Sequence, residues 1–127
     1  VECAVLGSVE KADASTVGEI FSAAEFYDYD AKYNNAESKT VIPAQLDENV
    51  IEEIRKTALK VFKAVDGSGL ARVDFFVEKG TNRVIFNELN TLPGFTSISM
   101  YPKLWESAGK PIEELIDELI SLACCGK

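Results

Sequence analysis

Arg72, Asp74, Glu88 and Asn90 are the residues of this 127-residue chain best placed to do chemistry. They lie in two stretches, Gly69-Leu-Ala-Arg-Val-Asp-Phe-Phe-Val77 and Arg83-Val-Ile-Phe-Asn-Glu-Leu-Asn90, where aromatic and β-branched residues alternate as in strands. Lys79 to Asn82, polar with Gly80 inside, reads as the turn of an antiparallel hairpin. Pairing Glu78 with Val84 sets Phe76 opposite Phe86, Asp74 opposite Glu88 and Arg72 opposite Asn90. Opposed carboxylates repel unless a cation sits between them. Converging Asp, Glu and Asn oxygens are the hard ligands that Mg²⁺ takes, usually beside water and phosphate oxygens. Arg72, on the same face, offers a fixed fork to a phosphate or a developing oxyanion. The hairpin is therefore expected to be a metal–phosphate platform, with Phe76 and Phe86 supplying rings for a base.

The elements that must hold this platform follow from the patterning. Val1 to Leu6 reads as a strand closed by Gly7, residues 8 to 16 as a polar turn, and Val17 to Ser22 as a second strand. Phe26-Tyr-Asp-Tyr-Asp-Ala-Lys-Tyr33 leads into a polar stretch, Asn34 to Ser38, read as an ordered loop; Lys39 to Pro43 is extended. Asp47 is a helix N-cap candidate with Glu48 in the first turn. Ile51, Ile54, Ala58, Leu59, Val61, Phe62 and Val65 then recur at helical spacing up to Gly67. A short helix is expected from about Met100–Pro102 to Gly109, and a last one from Pro111 with Ile112, Leu115, Ile116, Leu119, Ile120 and Leu122 on its apolar side. The fold class is α+β, with antiparallel strands.

Bulk properties exclude several classes. There are 13 basic against 21 acidic residues and no basic cluster, so nucleic acid is not expected as a partner. The chain has no His, which removes His-based triads, zinc sites and general bases from it. Three Cys, two of them the neighbours Cys124 and Cys125, form no disulfide framework, and a reducing cytoplasmic setting is expected. No apolar run approaches membrane-spanning length and no leader is visible, so no membrane partner is expected. The chain opens on Val1 rather than Met and is expected to be cut from something longer.

Several separated segments resemble one family, the D-alanine–D-alanine ligases. Phe26 to Tyr33 resembles the family's ω-loop motif. Arg72-Val-Asp74, with Asn87-Glu-Leu-Asn-Thr-Leu-Pro-Gly-Phe-Thr-Ser-Ile-Ser99, resembles its catalytic core. Tyr101-Pro-Lys-Leu-Trp105 and Glu113 to Ile120 look like its C-terminal helices, and Cys3 to Gly7 like its ATP-side strand. Nearly all of the chain is covered, with the motifs in order and spacing. The resemblance implies an ATP-grasp fold, an antiparallel sheet flanked by helices, of which residues 1–127 would be the C-terminal part. The N-terminal domain and first half of the ATP-grasp unit would lie elsewhere, including a ribose-binding glutamate just before Val1.

The implied activity is ADP-forming ligation of two D-alanines through a D-alanyl phosphate, for peptidoglycan precursors. By resemblance, Asp74, Glu88 and Asn90 would hold two Mg²⁺ ions, or Mn²⁺ in their place, on ATP. Arg72 and the Gly94 N–H would stabilise the tetrahedral oxyanion, while Ser99 and the Met100 N–H would take the second substrate's carboxylate. Lys32 would reach the ATP phosphates, and Phe26 and Phe76 would flank the adenine. Tyr33, after the loop lysine, would go with an amine rather than a D-lactate nucleophile. Partners would be D-alanine, ATP, the rest of the enzyme and a second copy in a homodimer. The alternatives are a resistance-type D-Ala–D-Ser or D-Ala–D-lactate ligase, and a non-catalytic Mg²⁺- or nucleotide-binding module. Taken singly, each residue also has an ordinary use: Lys32 as a solvated lysine, Phe26 and Phe76 as core, Ser99 as a helix cap, Gly94 as a turn glycine, Asn90 as a strand end. Their joint occurrence favours the functional set.

Overall fold

A computed structural model of the chain describes residues 1–21 and 39–125. Among these, five strands and three helices follow in the order β1 (Glu2–Gly7), β2 (Ala12–Phe21), β3 (Lys39–Val41), α1 (Glu48–Ala64), β4 (Gly69–Val77), β5 (Val84–Asn90), α2 (Met100–Ser107) and α3 (Ile112–Cys125). The strands form one sheet in the order β3-β2-β1-β4-β5, every neighbour antiparallel. The expected α+β class with an antiparallel sheet and flanking helices is what the chain adopts.

β1 is central, and all six of its residues are buried. Alternation then divides the sheet into two faces. Cys3, Val5, Ala71, Val73 and Phe75 point to one side, where Val50, Ile54, Ala58 and Phe62 of α1 cover them. These four helical positions recur every fourth residue, the spacing that lines up one helix face. Fully burying Ile54 or Phe62, each at most 1 % exposed, is worth about 1.5–3 kcal/mol. Ala4 and Leu6 point to the other side, under Met100, Tyr101, Leu104 and Trp105 of α2 and Leu115 of α3. Tyr101 donates its hydroxyl to the Val5 carbonyl at 2.9 Å, tying α2 to the central strand.

Only part of that second face is covered. The register pairs Leu6 with Leu70, Ala4 with Arg72 and Glu2 with Asp74. The two helices therefore sit over the Leu6–Leu70 end and leave the Glu2–Asp74 end open. An uncovered polar end on an otherwise buried sheet face is the setting of the candidate site.

The structure corrects several expectations. β2 starts at Ala12, so Asp13, Ser15 and Thr16 are strand residues and the turn is confined to Gly7–Lys11. A register irregularity opposite Cys3–Val5 explains why that stretch lacks clean alternation. Ser15, fully buried there, accepts the Ala4 N–H at 3.0 Å and donates to the Thr16 carbonyl at 2.7 Å. Asp47 occupies the N-cap of α1, but its side chain makes no cap bond and instead accepts from Asn82 Nδ2 at 3.3 Å. Val65 falls at the C-cap and is exposed rather than part of the apolar stripe. On α3 only Leu115 is fully buried; Leu119 and Leu122 pack partly, while Ile112, Ile116 and Ile120 face outward. Phe26, Lys32 and Tyr33 lie outside the described residues.

Candidate functional site

The hairpin brings the expected pairs together by a different register. Glu78 closes the turn with Arg83, its N–H bonding the Arg83 carbonyl at 3.0 Å, and Val77 pairs with Val84. Phe76 then faces Ile85, and Phe75 faces Phe86, so the expected Phe76–Phe86 pair does not form. A bulge between Asp74 and Phe75 inserts one extra residue, Asn87, into β5 and shifts the register by one. Beyond it Asp74 pairs with Glu88 and Arg72 with Asn90, as expected. Phe86 turns to the α1 side, its ring edge-on to Phe75 with centroids 6.1 Å apart.

Glu2, Asp74 and Glu88 form a row across three adjacent strands on the open face. Arg72 sits two residues from Asp74 on the same face and grips it with both arms, Nε to Oδ1 at 2.9 Å and Nη2 to Oδ2 at 3.0 Å. Bidentate geometry of this kind is strong and directional. The hydrogen bonds to Asp74 raise the Arg72 pKa further above its ordinary value; burial opposes them and the charge of Glu2 reinforces them. Arg72 Nε also lies 3.2 Å from Glu2 Oε2. The Glu2 carboxyl is pushed up to about 7, first by burial and then by the charge of Asp74, with Arg72 pulling the other way.

Glu2 is a site residue that sequence reasoning passed over as part of a strand. The available signal was a lone charged side chain in Val-Glu-Cys-Ala-Val-Leu, because a strand buried on both faces accepts a carboxyl only at a cost.

The strand then becomes a loop that presents the remaining expected residues. Asn90 Oδ1 accepts the Leu92 N–H at 3.1 Å, which turns the chain out of β5. Phe95 rests on Tyr101, ring centroids 6.0 Å apart. Ser99 stands at the N-cap of α2, but its hydroxyl points back into the loop, accepting the Thr96 N–H at 2.9 Å and lying 2.8 Å from Thr96 Oγ1. No side chain caps α2, so the positive end of its dipole is available to an anion beside Ser99 and Met100. Gly94 lies against Ser99: a Cβ there would be 2.8 Å from the Ser99 Oγ. Thr96 is a loop partner that sequence reasoning did not single out.

Phe76 is 60 % exposed, not core. It lines an open cleft of 450 Å³ together with Glu2, Ile20, Asp74 and Asn87. A second hollow of 240 Å³ continues from it along Ile20, Leu46 and Phe76 toward Lys79. The two make a groove with an aromatic wall and acidic residues at one end. A hollow of 480 Å³ between β2, α1 and α2 is as large, but its central cation, Arg55, is spent on the Ala14 and Ser15 carbonyls at 3.0 and 3.1 Å and on Glu52. It holds backbone together.

The donor set fits a hard divalent cation. Asp74 and Glu88 are direct cross-strand partners, and Asn90 is the next inward-facing residue on β5. Among the described residues no group of three or more His, Cys, Asp or Glu side chains is gathered so that it could hold a metal ion by itself. An open, oxygen-only half-site is what Mg²⁺ uses when phosphate oxygens and water complete its shell.

A family model described as D-ala D-ala ligase C-terminus matches residues 1–121. The chain belongs to that family. D-alanine–D-alanine ligases of Acetivibrio thermocellus and Clostridium acetobutylicum are 62% and 58% identical to it over 123 residues, 97% of the chain in each case. The chain spans about a third of their length, 32% and 36%. Among solved structures, the Coxiella burnetii D-alanine–D-alanine ligase superposes with a TM-score of 0.81 at 45% identity, covering 96% of the chain and 30% of that protein. The VanG D-Ala:D-Ser ligase of Enterococcus faecalis gives the same TM-score, 0.81, at 38% identity, over 95% of this chain and 35% of its own. A Bacillus anthracis D-alanine–D-alanine ligase complexed with ATP gives 0.75 at 32% identity, over 97% of this chain and 38% of its own. The antiparallel sheet and helices are those of the C-terminal ATP-grasp portion of these ligases. Among the described residues no helix is long and apolar enough to cross a membrane.

Proposed function

We propose that this chain is the metal- and ATP-binding C-terminal part of an ADP-forming ligase that joins two D-alanines. The observation that carries it is the stacked pairing of Asp74 with Glu88 and Arg72 with Asn90. This pairing runs directly into the loop that ends at Ser99 and the start of α2. Residues 1–121 match the ligase family, and a relative complexed with ATP shares the fold.

Asp74, Glu88 and Asn90 would hold two Mg²⁺ ions against the ATP phosphates, and these ions would supply the neutralising charge that phosphoryl transfer needs. Phe76, exposed on the wall of the groove, offers a ring to the adenine. The first D-alanine carboxylate takes the γ-phosphoryl group, giving an acyl phosphate. The amine of the second D-alanine attacks the acyl carbon, and phosphate leaves. Arg72 and the Gly94 N–H stabilise the oxyanion formed in that attack; fixed donors outperform water because they need not reorganise. The second substrate's carboxylate sits at the N-terminus of α2, on Ser99 and the Met100 N–H. Phe26, Lys32 and Tyr33 complete the site as nucleotide flank, phosphate cation and determinant of an amine nucleophile. A cytoplasmic setting is part of this reading, and the free thiols of Cys3, Cys124 and Cys125 agree with a reducing compartment.

The D-Ala:D-Ser alternative is kept by the equal TM-score of the VanG enzyme. ADP release by a full-length ligase carrying this chain, supplied with Mg-ATP, decides between them. Release with D-alanine alone, yielding the dipeptide, is expected. Release only with D-alanine plus D-serine or D-lactate would overturn the first reading in favour of a mixed ligase. The 127-residue chain alone is expected to be silent, and turnover by it would overturn its assignment as a partial site.

A further inference from the structure

We propose that Glu2 is a positioning residue for Arg72: a second carboxylate seat that keeps the guanidinium on the platform when Asp74 turns its oxygens to a cation. This rests on the cation-site reading of Asp74 and Glu88.

Both Asp74 oxygens are taken by Arg72, at 2.9 and 3.0 Å. A dication bound to the same carboxylate would face the guanidinium at short range, and the two repel. Arg72 must then loosen its grip. With no other anion it would swing toward solvent, and the fork required at the reacting oxygens would lose its place.

Glu2 is built to prevent that. It is the direct register partner of Asp74 on β1, so both carboxyls project from the same face. Its Oε2 lies 3.2 Å from Arg72 Nε but accepts no hydrogen bond, because that N–H is aimed at Asp74 Oδ1. A buried acceptor without a donor is rare and calls for a reason. A modest rotation of the guanidinium redirects Nε–H from Asp74 to Glu2 and satisfies it. Fold stability alone gives no cause for a carboxyl here, since every other residue of β1 is uncharged and the strand is buried throughout.

The test reads the Arg72 Nε–Hε resonance in a ¹⁵N-labelled, full-length ligase carrying this chain, with no D-alanine present. In Asp74→Ala the resonance is expected to stay slow to exchange with solvent, roughly tenfold or more slower than in Asp74→Ala/Glu2→Val. Loss of protection in Asp74→Ala alone, or protection in both variants, would overturn the seat. Mg²⁺ added to the unmutated protein together with a non-hydrolysable ATP analogue should move the resonance beyond the shift given by the analogue alone while leaving it protected, and this arm needs no variant to fold. A resonance that Mg²⁺ leaves unmoved beyond the analogue alone, with the Asp74→Ala arm as expected, would overturn the cation reading and the handover with it. A purely structural Glu2 would leave Arg72 exchange the same in both backgrounds.

Discussion

A Cβ on Gly94 would lie 2.8 Å from the hydroxyl oxygen of Ser99. That hydroxyl is already committed to Thr96, whose N–H and Oγ1 it meets at 2.9 and 2.8 Å. The loop between β5 and α2 is thus closed on itself with room for hydrogen at position 94 and nothing larger. Gly94→Ala must push Ser99 off Thr96 and away from the α2 N-terminus. Because a misplacement near 1 Å can cost about 100-fold, kcat/KM for the second D-alanine is expected to fall by that order. Little change in melting temperature is expected, since the loop is exposed. Steady-state kinetics beside a thermal melt check both.

Asp74→Asn and Glu88→Gln each remove one negative charge from the platform without altering its shape. Loss of a group that stabilises transferring charge costs about 10²–10³-fold, and ADP release should drop at least that far with folding intact. Glu88 is exposed, so its change tests chemistry apart from packing. Unchanged turnover in both variants would remove the metal assignment.

The raised pKa of Glu2 has a consequence for stability. Its value goes from 4.5 to about 7 on folding, so the folded state prefers the protonated form. Below pH 4.5 the group costs the fold nothing; as pH climbs through the interval to 7, ionisation is increasingly resisted and stability is lost. Glu2→Gln removes this dependence. The variant should therefore match the parent chain near pH 4 and exceed it at pH 8, a crossover visible in urea midpoints measured without divalent cations.

Tyr101 links the packing of α2 to the site. Its ring is fully buried and its hydroxyl bonds the Val5 carbonyl at 2.9 Å. Tyr101→Phe leaves that arrangement without its donor and is expected to cost about 0.5–1.5 kcal/mol. Leu115→Ala, at the fully buried position on α3, is expected to cost about 2–5 kcal/mol. Chemical denaturation measures both. Tyr101→Phe should also loosen the Phe95–Tyr101 contact and raise KM for the second substrate more than it lowers kcat.

The sequence by itself determined the elements and the residue types they present. Alternation marked β4 and β5, helical spacing marked α1, and the Asp, Glu, Asn and Arg types pointed to a phosphate and divalent-cation site. These signals are local, and local periodicity is what a sequence records. Tertiary structure decided the rest. The Asn87 bulge restored the Asp74–Glu88 pairing that a regular ladder from the Glu78–Arg83 turn would have broken, while the turn register itself put Phe86 opposite Phe75 on the α1 side. A single inserted residue leaves no mark on alternation strong enough to read. Glu2 joined the site because β1 pairs with β4, 62 to 72 positions along the chain — a long-range contact that no short window contains. The open end of the sheet face exists because α2 and α3 cover Ala4, Leu6 and Leu70 but not the row of Glu2, Asp74 and Glu88, and how far a helix covers a sheet is settled by packing.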